Sequence, residues 1–249
     1  MKRIATRAGQ CVLAAGLLVA TDLPAQTNTP VAPDSSARAT AIRADEAPVI
    51  DGRENDDVWA RAPETSDFRE FSPTEGKAPR FRTTFKTAFD ERNLYVFIRA
   101  YDPHPDSIMR DLSRRDQRGT SDQLKIMIDS YFDRRNGFEF AVNPLGVKRD
   151  FAMYNDRDED GSWDAVWDVG TAIDSTGWTA EFSIPFSQLR YAQAPSHTFG
   201  FAVWRDIERY KERTSWPMYS SRINGLVSQL GRLEGIVGIS APRQLEVPP

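Results

Sequence analysis

Apolar side chains recur at every second position along most of this chain, and this period is what most constrains its fold. Phe81, Thr83, Phe85, Thr87 and Phe89 alternate with Arg82, Thr84, Lys86 and Ala88. Asp90-Glu91-Arg92-Asn93 then turns the chain, and Leu94, Val96, Ile98 and Ala100 share one face against Tyr95, Phe97, Arg99 and Tyr101 on the other. Successive side chains of an extended backbone point to opposite faces, so the two runs predict a hairpin with one face buried. The alternation returns in Leu124, Ile126 and Ile128, in Phe138, Phe140 and Val142 before the turn Asn143-Pro144-Leu145-Gly146, and across 147–153 and 167–173. It returns again in Trp178, Ala180, Phe182 and Ile184, and in Phe199, Phe201 and Val203. The expected fold is all-β, an antiparallel, jelly-roll-like β-sandwich of about ten short strands. Only 185–189 and 56–61 read as single helical turns. The chain has no βαβ pattern, glycine-rich phosphate loop or internal repeat, so nucleotide-binding α/β folds are excluded.

The ends differ in composition from the middle. Lys2, Arg3 and Arg7 precede an apolar run at 11–20, which is shorter than the roughly 20 residues needed to span a bilayer. With Leu23-Pro24-Ala25 as a cleavage signal, 1–25 reads as a secretory signal peptide, the alternative being a short membrane anchor. The protein is therefore expected to be exported to the periplasm, outer membrane or exterior. Residues 26–40, rich in Pro, Ser, Thr and Ala, bury too little apolar area to offset their chain entropy and read as a linker. The sandwich is expected over 41–239. Residues 240–249 read as a tail, or as a broken junction to a following domain.

Charge and the rarer residues exclude further classes. Cys11 is the single cysteine, so no internal disulfide forms. His104 and His197 are the only histidines, too few for His-rich zinc sites and a poor start for a Ser-His-Asp triad. The net charge is -4, and each basic cluster has acids beside it: Arg110, Arg114, Arg115 and Arg118 with Asp111 and Asp116, Arg134 and Arg135 with Asp133, Lys148 and Arg149 with Asp150. That mixing cancels the field a nucleic acid would require.

Two patterns carry candidate chemistry. Asp156-x-Asp158-x-Asp160-Gly161, with Asp164 following, matches the start of a calcium loop, in which carboxylates two residues apart converge through a glycine turn. Trp167 occupies the twelfth position, where such loops carry a bidentate Glu, so a solvated acidic turn is the competing reading. The second pattern is six tryptophans. A flat indole covers the C–H face of a pyranose at low entropy cost. Trp59 and Trp178 fall in core phase. Trp163 and Trp216 stand in polar or proline-bearing loops, and Trp204 is read as ending a strand, so these three are candidates for a sugar platform. Glu181, out of phase with Trp178, is expected to be exposed or calcium-linked rather than catalytic.

Five ordered motifs add a family. Val49-Ile50-Asp51-Gly52 with Asp57-Val58-Trp59, the hairpin NLYVFIRAYD, Ser121-Asp122-Gln123-Leu124-Lys125-Ile126-Met127-Ile128-Asp129, Gly177-Trp178-x-x-Glu181-x-x-Ile184-Pro185-Phe186 and Gly200-Phe201-x-Val203 resemble family 9 carbohydrate-binding modules. The resemblance spans 41–239. It implies a non-catalytic β-sandwich with structural calcium, a poly- or oligosaccharide ligand, and attachment to secreted enzymes hydrolysing O-glycosyl bonds in polysaccharide catabolism. The family's two clamping tryptophans align with Gly119 and Asn224, its acidic contact aligns with Lys125, and a polar contact is kept as Asn143. The candidate carbohydrate contacts are therefore Trp163, Trp204, Trp216, Asn143 and Asn224. The segments 129–169 and 177–192 resemble a bacterial subgroup in which this module precedes an outer-membrane β-barrel domain. That likeness implies the alternative of a periplasmic or surface domain whose sugar binding is altered or lost.

Overall fold

The computed structural model describes residues 36–240, Arg118 excepted. The expected signal peptide, the first ten residues of the expected linker and the tail after Ser240 lie outside the described residues.

Fourteen strands form among these residues. They are β1 (Arg38–Thr40), β2 (Ile42–Arg43), β3 (Arg69–Ser72), β4 (Thr83–Phe89), β5 (Asn93–Tyr101), β6 (Gln123–Asp129) and β7 (Gly137–Val142). After them come β8 (Lys148–Tyr154), β9 (Asp158–Asp160), β10 (Asp168–Asp174), β11 (Gly177–Pro185), β12 (Ser196–Ile207), β13 (Glu212–Trp216) and β14 (Gly231–Val237). One helical turn, α1 (Asp57–Arg61), and a 3-10 turn at Phe186–Gln188 occupy the two places where the sequence predicts helix. The all-β expectation holds. The number of strands exceeds the expected ten because β1, β2, β3 and β9 have two to four residues, too few for alternation to be visible. β1 also falls inside the stretch expected as linker, pairing Ala39 with Leu233 of β14.

The strands make two sheets. The larger runs β1-β14-β12-β6-β7-β8-β9, with β13 beside the C-terminal half of β12 and β3 beyond it. The smaller runs β10-β11-β5-β4-β2. Most pairs are antiparallel, but β1 with β14 and β2 with β4 are parallel, so both sheets are mixed. The expected alternation determines which residues meet between the sheets: Phe85, Phe89, Val96, Ile98, Ala180 and Phe182 face Leu124, Ile126, Phe140, Phe199, Phe201 and Leu233. Burying one such apolar side chain contributes about 1.5–3 kcal/mol.

Both outer faces are partly covered as well. On the smaller sheet, Tyr95 and Phe97 pack under Val58 and Trp59 of α1. Gly52 of the Val-Ile-Asp-Gly motif lies directly on β10 with φ +79°, where a Cβ atom would stand 2.7 Å from the Thr171 carbonyl carbon. Only glycine tolerates both that dihedral and that approach. Arg205 of β12 crosses between the sheets, buried, donating to the carbonyls of Arg82 (3.0 Å) and Tyr101 (2.8 Å). Burial pulls its pKa down to about 10, against the pull of Asp122, Asp102 and Glu212.

Candidate functional site

The outer face of the larger sheet gathers charged side chains that the strand period keeps out of the core. Register aligns Trp204, Lys125, Ala141 and Arg149 in one row across β12, β6, β7 and β8, and Ala202, Met127, Glu139 and Phe151 in the next. Two ion pairs form on the diagonals: Lys125 Nζ to Asp206 Oδ2 at 2.8 Å and Arg149 Nη2 to Glu139 Oε1 at 3.1 Å. Diagonal neighbours on a sheet face are within reach of long side chains. Lys125, Asp206 and Glu139 are at most 5% exposed, so the pairs lie buried between the flanking loops rather than as a solvated fringe. Burial pushes the Glu139 carboxyl upward, opposed by Lys125 and Arg149.

The walls come from loops. On one side Val227 and Leu230, with Leu226, pack over Met127, Phe151 and Met153. On the other, Gly119 lines a narrow crevice with Gln123, Ala141 and Arg149. Beside the ion pairs Trp204 is half-buried in a triangle of rings, 4.6 Å from Phe71 and 4.9 Å from Tyr219, which are themselves 5.3 Å apart. Lys125 Nζ is 5.9 Å from the indole centroid. A flat ring beside paired charged donors and acceptors suits a polyhydroxylated ligand.

The expected sugar contacts fare differently. Trp204 stands inside β12, which continues to Ile207, and is the one that joins the groove. Trp216 is a correction: it is 3% exposed and packs in the core against Phe85 at 4.9 Å, because β13 keeps the phase of its partner strand and Trp216 pairs with core-facing Val203. Asn143 is buried and its amide holds a turn, Oδ1 accepting from Leu145 N (3.0 Å) and Val147 N (2.9 Å) while Nδ2 donates to the Asp111 carbonyl (2.7 Å). Asn224 is exposed in the loop that covers Met127. Trp163 lies at the other end of the strands, half-buried against Phe138 at 4.7 Å, and lines a separate cavity.

The four candidate calcium ligands do not converge. Asn155 and Asp156 both take positive φ (52° and 69°), and Arg157 N donates to the Tyr154 carbonyl at 3.1 Å, which makes a hairpin turn between β8 and β9. Asp158 and Asp160 are then laid along a strand instead of curled about a point. Asp156 Oδ1 accepts from Leu226 N (3.1 Å) and Ser228 N (2.7 Å), Asp160 Oδ1 from Ser162 N (2.9 Å), and Asp164 pairs with Arg115. Among the described residues no group of three or more His, Cys, Asp or Glu is placed to hold a metal. The donor set does not fit calcium here.

Glu181 is also corrected. It is fully buried on the outer face of the smaller sheet, accepting from Trp59 Nε1 (2.8 Å), Gly52 N (3.0 Å) and Asp51 N (3.1 Å). Burial pushes its pKa up to about 7 despite these three donors. Sequence reading passed over Asp206, Glu139, Arg149, Phe71 and Tyr219 as site residues. Their signal was a charge set between core hydrophobes, as in Phe138-Glu139-Phe140, which alternation alone assigns only to the outward side.

Comparison with known proteins bears on this geometry. Two solved structures of a family 9 carbohydrate-binding module from Caldicellulosiruptor kristjanssonii, in complex with glucose and with cellotriose, are each 20% identical, with TM-scores of 0.58 and 0.57. They cover 85% and 86% of this chain and 100% and 98% of their own. A structure from Bacteroides uniformis matches at 12% identity and TM-score 0.61, over 81% of this chain and 99% of its own. A comparison with curated proteins finds no significant match. The profile described as carbohydrate family 9 binding domain-like matches residues 50–221, most of the chain, and it is to this family that the protein belongs.

Proposed function

We propose that this domain is a non-catalytic module that binds a poly- or oligosaccharide in the groove on the outer face of the larger sheet. The observation that carries the reading is the row Trp204, Lys125, Ala141, Arg149, with Asp206 and Glu139 on its diagonals. It joins a half-buried indole to charged side chains already held in place by each other. Preorganised polar groups lose little freedom on binding. Family membership and the glucose and cellotriose complexes of the related module support the same ligand class. The N-terminal basic and apolar segment supports export, and the family supports service to a glycan-degrading partner domain. The test is affinity gel electrophoresis on xylan, soluble cellulose derivatives, glycol chitin and pectin. Retardation that Trp204→Ala abolishes is expected; free migration on every gel would overturn the reading.

A second reading rests on Gly119 and Asn224, which stand where the resemblance places the family's clamping tryptophans, and on the mutual neutralisation of the two ion pairs. On that reading the domain is the periplasmic or surface part of an outer-membrane protein and no longer grips sugar. It expects no retardation on any gel and, in the coding sequence, a following run of alternating barrel strands.

A further inference from the structure

A second cavity lies at the opposite end of the same strands, where Phe138 and Ala152 from the core-facing side and Met153 from the outer side all reach it. It measures about 580 Å³, within the range of small-molecule sites. Ser130 at the end of β6 lines it, five residues from Lys125, or about 16 Å along the strand. Trp163 and Phe138 form one wall, their rings 4.7 Å apart and tilted by 34°, and Trp163 meets Phe140 edge-on at 5.8 Å. Two contacts thus hold the indole while it remains half-exposed toward the cavity. Tyr131 on the rim is 54% exposed, among the largest exposed aromatic surfaces of the described residues.

The polar rim is built by the loop between β6 and β7. Buried Asp129 accepts from Arg134 N (2.8 Å) and Asp133 N (3.2 Å). Asp133 Oδ1 accepts from Arg135 N and Asn136 N, both at 2.8 Å, while its Oδ2 takes the Asn136 amide at 2.7 Å. This chain of bonds fixes Asn136 at the mouth. Asp160, its Oδ1 held by Ser162, and Arg190 complete the rim. An aromatic wall bordered by a carboxylate, an amide and a guanidinium is the chemistry that receives a sugar ring: apolar C–H face on the indole, hydroxyls to the charged rim.

We propose that this cavity is a second saccharide subsite, taking a single pyranose with its ring face on Trp163 and its hydroxyls on Asn136, Asp160 and Arg190. It rests on the saccharide reading of the domain only for the choice of probe, and of the residues around the Lys125 groove it touches Met153 alone, none of the ion-paired side chains. The whole described domain would then hold sugar at two separated places, so two weak contacts on one glycan gain through effective concentration.

The test is titration of the ¹⁵N-labelled protein with methyl glycosides of glucose, galactose, mannose and xylose, following the Trp163 indole N–H and the Asn136 side-chain amide. At least one glycoside is expected to move both signals. Trp163→Ala is expected to weaken that binding about tenfold, the loss of one aromatic contact of about 1–1.5 kcal/mol. Because Trp163 also packs on Phe138, the double variant Asn136→Ala, Asp160→Ala at exposed positions gives a second route to the same loss. Trp204→Ala, which cripples the groove, is expected to leave these shifts in place. If no glycoside moves the Trp163 signal, or if the cavity variants bind as the wild type does, the proposal is overturned. It is overturned equally if Trp204→Ala removes the Trp163 shifts. Binding lost only in the cavity variants would uphold the subsite and remove the groove reading instead.

Discussion

The carboxylate of Glu181 accepts the indole N–H of Trp59 at 2.8 Å across 122 residues of sequence. With the N–H groups of Asp51 and Gly52 on its other oxygen, it ties the Val-Ile-Asp-Gly segment and α1 to the middle of β11. A carboxylate of this kind, buried in a carbohydrate-binding fold, invites a catalytic reading. Its three donors are protein groups, and its place is under α1, on the outer face of the other sheet from the groove.

Stability should therefore depend on pH through Glu181. Burial raises its folded pKa to about 7, above the ordinary carboxylate value of about 4.3. A raised folded pKa favours the native state below the unfolded pKa, and that contribution is lost as pH rises through the folded one. The melting temperature of the wild type, relative to that of Glu181→Gln, is expected to fall between about pH 4.5 and 7. Asp122, raised by burial to about 6, adds the same sign in both proteins and cancels in the difference. Parallel calorimetric curves for the two would refute the assignment.

Trp216 and Trp204 should separate core from site. Trp216→Ala removes a core ring packed on Phe85 and Phe201 and should cost about 3–5 kcal/mol in urea denaturation. Trp204→Ala, at a half-buried position, should cost about 1–2 kcal/mol while abolishing retardation on glycan gels. An unstable Trp204→Ala with intact binding would reverse the two roles.

Lys125 should matter to both stability and binding, by different routes. Lys125→Ala removes the ammonium 2.8 Å from the buried Asp206 carboxylate and should destabilise by about 3–5 kcal/mol. Replacing both, Lys125→Met with Asp206→Leu, should recover most of that loss, since an apolar pair of similar volume is often no less stable than a buried ion pair. Neither protein should bind glycan. Full binding by the double variant would show that the pair serves only the fold.

Asp156 should act as a hydrogen-bond acceptor rather than a metal ligand. Asp156→Ala strips the side-chain acceptor from Ser228 N, leaving Leu226 N its bond to the residue 156 carbonyl, and should lower stability by about 1–3 kcal/mol. The drop should be the same in excess calcium and in EDTA. A calcium-dependent difference confined to the wild type would restore the metal-loop reading.

Strand and face were legible in the sequence because each is a local decision. Phe138-Glu139-Phe140 in an extended chain sends its charge away from its rings whatever surrounds it, and the same logic placed Trp178, Phe182 and Phe201 in the core before any partner was known. The family motifs were equally legible, since Gly52 and Glu181 meet in a contact that admits few other residues.

Convergence was not legible, because it depends on strand order and register between distant segments. Lys125 meets Asp206 only because β6 lies beside β12, and Glu139 meets Arg149 because the β7–β8 register sets Arg149 opposite Ala141, one diagonal from Glu139. The Asp-x-Asp-x-Asp spacing suits both a metal loop and a strand, whose period is also two. Pairing of Asp158 and Asp160 with β8 decided for the strand. Trp216 went inward because β13 follows the phase of β12, and Trp163 went to the far cavity because the chain leaving β9 lies across Phe138. The alternating sequence determined which side of a sheet each residue faces; only the tertiary structure decided which of those outward residues stand together, because proximity between strands is a property of their pairing.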